Sequence, residues 1–95
     1  MTFNDSFGIK PQIEVMQNMF NSAQIRYNRG DQGGASNTFY NMARQIKGRL
    51  NLQHIKSTKG TFEEAKTYYN KGNIPQCLAI LKYIETEILY GRYKF

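Results

Sequence analysis

Residues 20–31 and 62–73 repeat one another at an offset of 42, with five identities in twelve positions. Phe20 matches Phe62, Ala23 matches Ala65, Tyr27 matches Tyr69, Asn28 matches Asn70 and Gly30 matches Gly72, while Arg29/Lys71 and Asp31/Asn73 are conservative pairs. Within each copy the phenylalanine, alanine and tyrosine recur at steps of three and four, which puts them on one helix face. The alanine lets a partner helix approach closely, and the aromatic one turn later fills the space beside it. The glycine then takes the left-handed backbone that ends a helix. A chain of 95 residues doubled in this way reads as one domain of two helical hairpins. Each hairpin carries an apolar face that only stacking can cover.

The rest of the chain fits around that repeat. Residues 1–8 carry Phe3 and Phe7 without a sustained period and read as an irregular arm. From Lys10 the positions Ile13, Met16, Phe20, Ala23 and Tyr27 form an apolar stripe, with Pro11 acceptable in a first turn. Asp31-Gln32-Gly33-Gly34 has turn chemistry. Ala35, Phe39, Ala43, Ile46 and Leu50 then give a second helix, weakened near its end by Gly48. Leu50, Leu52 and His54 alternate, which suits a short extended piece or a helix tail followed by a loop. Ser57-Thr58-Lys59-Gly60 is a loop, and Thr61-Phe62-Glu63-Glu64 fits a capping box. Phe62, Ala65 and Tyr69 face the third helix inward and Gly72 stops it. Asn73 caps a fourth helix, with Pro75 in the place of its first residue. Cys77/Leu78, Leu81, Ile84 and Ile88 supply that helix's stripe, and Gly91 ends it. The expected organisation is therefore an arm over 1–8, hairpin one over 9–50, a loop over 51–60, hairpin two over 61–91 and a tail over 92–95.

The spacing of these residues resembles tetratricopeptide-type helical hairpins. That family sets a glycine seven residues after a small residue, as Ala23/Gly30 and Ala65/Gly72 do. It sets another small residue five later, where Ala35 and Cys77 stand, and a large apolar one four beyond that, where Phe39 and Leu81 stand. The chain departs from the family at Met42 and Ile84, where alanine is usual, and at Lys47 and Leu89, where a closing proline is usual. It also carries Ser22 and Glu64 in place of the usual leucine. The offset of 42 exceeds the family's repeat of about 34 residues, and two copies are fewer than the three or so that a solenoid needs. The expected fold class is all-α: two stacked helical hairpins, tetratricopeptide-like or closed into a compact four-helix bundle. The resemblance implies a groove lined by the first helix of each hairpin, binding a peptide or a helix. Its residues would be Gln24, Tyr27 and Asn28 from one hairpin and Lys66, Tyr69 and Asn70 from the other.

Little in the chain points to chemistry. The one cysteine, Cys77, lies in an apolar stripe and reads as a small core residue. The one histidine, His54, reads as a surface or packing residue. Glu63 and Glu64 are explained by the capping box and the helix dipole. Gly33-Gly34 lacks the Lys-Ser/Thr of a phosphate loop and reads as a turn. No metal, cofactor or catalytic constellation is expected, and the function classes left are binding ones. No run approaches the ~20 apolar residues of a membrane span. No basic segment followed by an apolar one opens the chain as in a secretory leader. A reducing, cytoplasmic location is expected.

Two features point to partners. The chain carries 13 Lys and Arg against 7 Asp and Glu, a formal charge of +6, and no acid stands between residues 32 and 62. Arg44, Lys47, Arg49, Lys56 and Lys59 fall in that acid-free stretch. Seven tyrosines include the adjacent Tyr68 and Tyr69, which point about 100° apart on a helix, so one of them is expected at an interface. Tyr40 and Tyr83 flank core positions. The leading expectation is a small non-enzymatic protein-binding module, an adaptor or inhibitor that occupies a partner with an acidic or apolar surface. A second copy of the chain is also an admissible partner. So small a chain without catalytic apparatus suits an accessory protein of a phage or mobile element. The alternative is a nucleic-acid-binding accessory protein that uses the basic segment 44–59.

Overall fold

The computed structural model describes residues 3–46 and 54–95, with side chains from Gln12 onward. Four helices follow one another: α1 (Phe3–Asn28), α2 (Gln32–Ile46), α3 (Phe62–Asn70) and α4 (Ile74–Leu89). The fold is an all-α, four-helix arrangement, and among the described residues there is no strand.

Two helix boundaries differ from expectation. The first concerns residues 3–8, expected as part of an irregular arm, which belong to α1, so that Pro11 stands inside the helix rather than in its first turn. A helix already nucleated further along extends at little cost without an apolar stripe, and the proline forfeits one backbone bond. The second concerns Gln32, Gly33 and Gly34, expected as a turn, which form the first turn of α2. Asp31 makes this possible. Its Oδ1 accepts a hydrogen bond from the Gly34 N–H at 2.9 Å, and its carbonyl accepts the first helical bond, from the Ala35 N–H at 3.0 Å. Asn73 does the same for α4, with its side chain accepting from the Gln76 N–H and its carbonyl from the Cys77 N–H. Pro75 is the second residue of α4, not the first.

The repeat governs the helix ends. Gly30 and Gly72 have φ of 88° and 82°, a conformation in which a side chain costs about 1–2 kcal/mol. At the first, Gly30 N–H bonds to Tyr27 C=O and Asp31 N–H to Arg26 C=O. At the second, Gly72 N–H bonds to Tyr69 C=O and Asn73 N–H to Tyr68 C=O. Each pair is a Schellman closure. Asp31 and Asn73 therefore end one helix and cap the next with a single residue. The capping box of α3 is complete: Thr61 Oγ1 accepts from Glu64 N–H at 3.1 Å, and Thr61 N–H donates to Glu64 Oε1 at 2.9 Å.

The hairpins α1/α2 and α3/α4 join mainly through α2 and α4. Ser36 Oγ donates to the Glu85 carbonyl at 3.2 Å, and Gln32 lies beside Gly91. Moving up α2 thus means moving down α4, and the two are antiparallel. The pairs Phe20–Phe62 and Gln17–Lys66 make α1 and α3 antiparallel as well. Equivalent residues in contact on antiparallel helices is a two-fold relation between halves, unlike the translation that stacks solenoid repeats. It demands a long connection between α2 and α3, whose residues 55–60 lie against the middle of α4. Thr58 N–H donates to Ala79 C=O at 3.1 Å, Lys82 Nζ donates to Ile55 C=O at 2.7 Å, and Gly60 sits on the Ile80 side chain. This cover explains why α4 is buried on more sides than one stripe, with every residue from Cys77 to Leu81 inside.

The core holds Met16, Ala23, Ala35, Phe39, Met42, Ile46, Phe62, Ala65, Cys77, Leu78, Leu81, Ile84 and Ile88. Phe20, half-buried, stacks on the buried Phe62 with ring centroids 4.2 Å apart, and Phe39 meets both edge-on at 5.9 and 6.1 Å. Phe62→Ala should cost about 3–5 kcal/mol in urea unfolding, as deletion of a buried phenylalanine does. Gly72→Ala should cost about 1–2 kcal/mol from its backbone conformation alone. Gly33→Ala, in open helical space, should raise stability by up to about 1 kcal/mol in the same measurement.

Candidate functional site

The two groups of residues that the family resemblance assigns to one groove are separated by the antiparallel crossing. Tyr27 lies seven residues beyond Phe20 on α1, and Tyr69 lies seven beyond Phe62 on α3. Seven residues of helix span about 10 Å, and the two directions are opposite. Gln24, Tyr27 and Asn28 therefore sit near one end of the bundle, and Lys66, Tyr69 and Asn70 near the other. The fold does not bring the six to one groove.

Each group has its own surroundings. Tyr27 is half-buried under the Phe95 ring, with centroids 5.3 Å apart. Asn28 and Asn70 are exposed at helix ends, and Gln24 is half-buried. Lys66 Nζ is held by Gln17 Oε1 at 2.7 Å and Glu63 Oε2 at 2.7 Å, and lies 5.2 Å from the Phe62 ring centroid. Tyr68 and Tyr69 are both half-buried. Burial, reinforced by Cys77, holds the Tyr69 hydroxyl above the usual phenol range.

The basic segment is split in the same way. Arg44 borders a shallow hollow with Met19, Asn41 and Gln45, on the α1/α2 side. Lys59 borders another, with Glu64, Tyr83 and Glu87, on the α3/α4 side. Lys56 is exposed, and Lys47 and Arg49 lie outside the described residues.

Sequence reading set Tyr40 beside core positions but did not single out Leu89 and Tyr90. Tyr40, Leu89 and Tyr90 are large and exposed, Tyr90 at 65%. Two of them carry an arginine over the ring: Arg44 lies 5.9 Å from the Tyr40 centroid and Arg92 4.9 Å from that of Tyr90. Arg44 follows Tyr40 by one helical turn, a spacing visible in the sequence. Leu89 ends α4 and Tyr90 is its C-cap, so both project where the chain turns. Arg92 is also fastened to Glu87, through contacts of 2.6 and 3.2 Å. That bond holds the Glu87 carboxyl below its usual range.

Among the described residues no group of three or more His, Cys, Asp or Glu could hold a metal ion, and no helix is long and apolar enough to cross a membrane. Burial pushes the Cys77 thiol up to about 12, so at neutral pH it is a protonated core side chain. Comparison with known protein families, curated proteins and solved structures finds no match to this chain.

Glu85, on α4, provides a pH test of the fold. Burial raises its pKa, against a smaller lowering by Lys82. The folded chain therefore holds this proton to higher pH than the unfolded chain. The site is favourable below the ordinary carboxylate range and loses stability as pH rises through the raised value. Glu85→Gln should melt higher than the wild type at pH 7 and alike near pH 4, followed by circular dichroism.

Proposed function

We propose that the protein is a non-enzymatic binding module that docks an acidic partner protein through its exposed tyrosine–arginine pairs. The observation that carries this reading is the pairing itself: Tyr40 under Arg44, and Tyr90 under Arg92 beside the exposed Leu89. Tyrosine and arginine are the side chains that most often dominate protein contacts. Each presents a broad apolar surface with a polar or charged edge. An arginine held over a ring is already ordered, so little side-chain freedom remains to be lost on docking. The formal charge of +6 favours encounter with an acidic surface. Such a module acts by occupying its partner, as an adaptor or inhibitor does, and a phage or mobile element is a fitting source for it.

A second reading has one observation of its own. Tyr40 beside Arg44 sets a stacking ring next to a cation, the combination that single-stranded nucleic acid uses.

One experiment separates the two. The full chain, tagged and immobilised, is offered nuclease-treated lysate at moderate salt, beside titrations with single- and double-stranded DNA. Retention of one stoichiometric acidic protein, weakened about ten-fold or more by Tyr90→Ala, is the expected result. Recovery of nucleic acid alone, with affinity falling steeply between roughly 50 and 200 mM salt, would replace the first reading by the second.

A further inference from the structure

The lengths of the two outer helices differ: α1 has 26 residues and α3 has nine. They run in opposite directions from the Phe20–Phe62 contact, so α3 covers only the part of α1 that precedes Phe20. Beyond Phe20, toward Asn28, α1 runs away from α3. The chain's own segment 93–95 covers that stretch instead. The Phe95 ring lies 5.1 Å from Phe20 and 5.3 Å from Tyr27, centroid to centroid, and Tyr93 meets Phe95 edge-on at 4.7 Å. Behind Phe20 stand Phe39 and Phe62, so an aromatic cluster underlies this cleft.

The segment is anchored at its base by hydrogen bonds. Arg92 N–H bonds to Glu87 C=O at 2.8 Å, Tyr93 N–H bonds to the same carbonyl at 3.2 Å, and the Arg92 side chain grips the Glu87 carboxylate. Past Tyr93 the segment is held by ring contacts. Lys94 borders the adjoining hollow, whose walls include Glu64 and Glu87. The resident occupant is therefore an aromatic–basic–aromatic segment, with its rings on an aromatic floor and Lys94 exposed.

We infer that the cleft over Phe20 and Tyr27 is a binding site for an extended peptide segment with aromatic side chains two residues apart, and that residues 93–95 are its displaceable resident. The site adjoins the Tyr90–Arg92 pair, whose arginine anchors the segment, while its floor, Phe20 and Tyr27, lies outside both tyrosine–arginine pairs. A short tether presents its segment at an effective concentration on the order of millimolar. A free segment of the same kind competes poorly with it until the tethered ring is removed.

The test is an NMR titration of the isotopically labelled full chain with a free peptide of sequence Gly-Arg-Tyr-Lys-Phe. Phe95→Ala should bind this peptide about five-fold or more tighter than the wild type does, the advantage of losing a competitor at such a concentration. The shifts should centre on Phe20 and Tyr27, and a peptide with alanine at both aromatic positions should produce none. Equal affinity for the two proteins, or shifts elsewhere, overturns the inference. Amide exchange of the wild type gives a measurement that does not rely on the variant's folding. The Tyr93 amide should exchange about a hundred-fold or more faster than that of Ile84, through local opening. If the two exchange together, the segment leaves only when the whole fold does, and the inference fails.

Discussion

Phe20 and Phe62 stack ring on ring at equivalent positions of a doubled sequence, and the rest of the architecture follows from that contact. Two copies of one residue can meet face to face when the halves are related by a two-fold axis. This arrangement makes α1 antiparallel to α3 and α2 antiparallel to α4. It also forces the chain to return along the bundle between α2 and α3. Ala23 and Ala65, one turn beyond the stacked rings and fully buried, keep the helix faces low enough for close approach. Phe39 closes the cluster edge-on, the geometry that aromatic quadrupoles favour.

The tight turns depend on one residue doing two jobs. Asp31 and Asn73 each donate a backbone N–H to the helix that ends and lend a side-chain oxygen to the helix that begins. An Asn or Asp is suited to this because its short polar side chain reaches the N–H of the third helical residue. The glycine before it supplies the left-handed backbone. These turns leave no freedom in how each hairpin closes. What remains open is how the hairpins meet, and that is decided by side chains in the core.

The tyrosines divide according to that meeting. Tyr27, Tyr69 and Tyr93 lose part of their surface to the core or to the C-terminal segment, and burial raises the hydroxyl pKa of the last two. Tyr40 and Tyr90 stay outside, each with an arginine over its ring. The first group packs against the fold and the second is left to solvent, although the sequence offers the same residue type in both. The unequal lengths of α1 and α3 add an aromatic cleft that the chain fills with its own residues 93–95.

The sequence by itself determined the local structure. Period, cap and stop signals are short-range, and residues a few positions apart carry them whole: Gly30 and Gly72 end their helices, Thr61 with Glu64 forms its box, and Cys77, Leu81, Ile84 and Ile88 turn inward. The errors were local too, where helix extended without an apolar stripe at residues 3–8 and where Asp31 drew Gly33-Gly34 into α2. Only the tertiary structure decided the direction in which one hairpin lies on the other. Stacking by translation and by a two-fold axis bury the same apolar faces, so hydrophobic pattern cannot tell them apart. The choice rests on contacts between residues 42 or more positions apart, such as Phe20 with Phe62 and Ser36 with Glu85. That choice separated Tyr27 from Tyr69 and set Arg44 and Lys59 on different sides, and so it decided which side chains lie together on the surface.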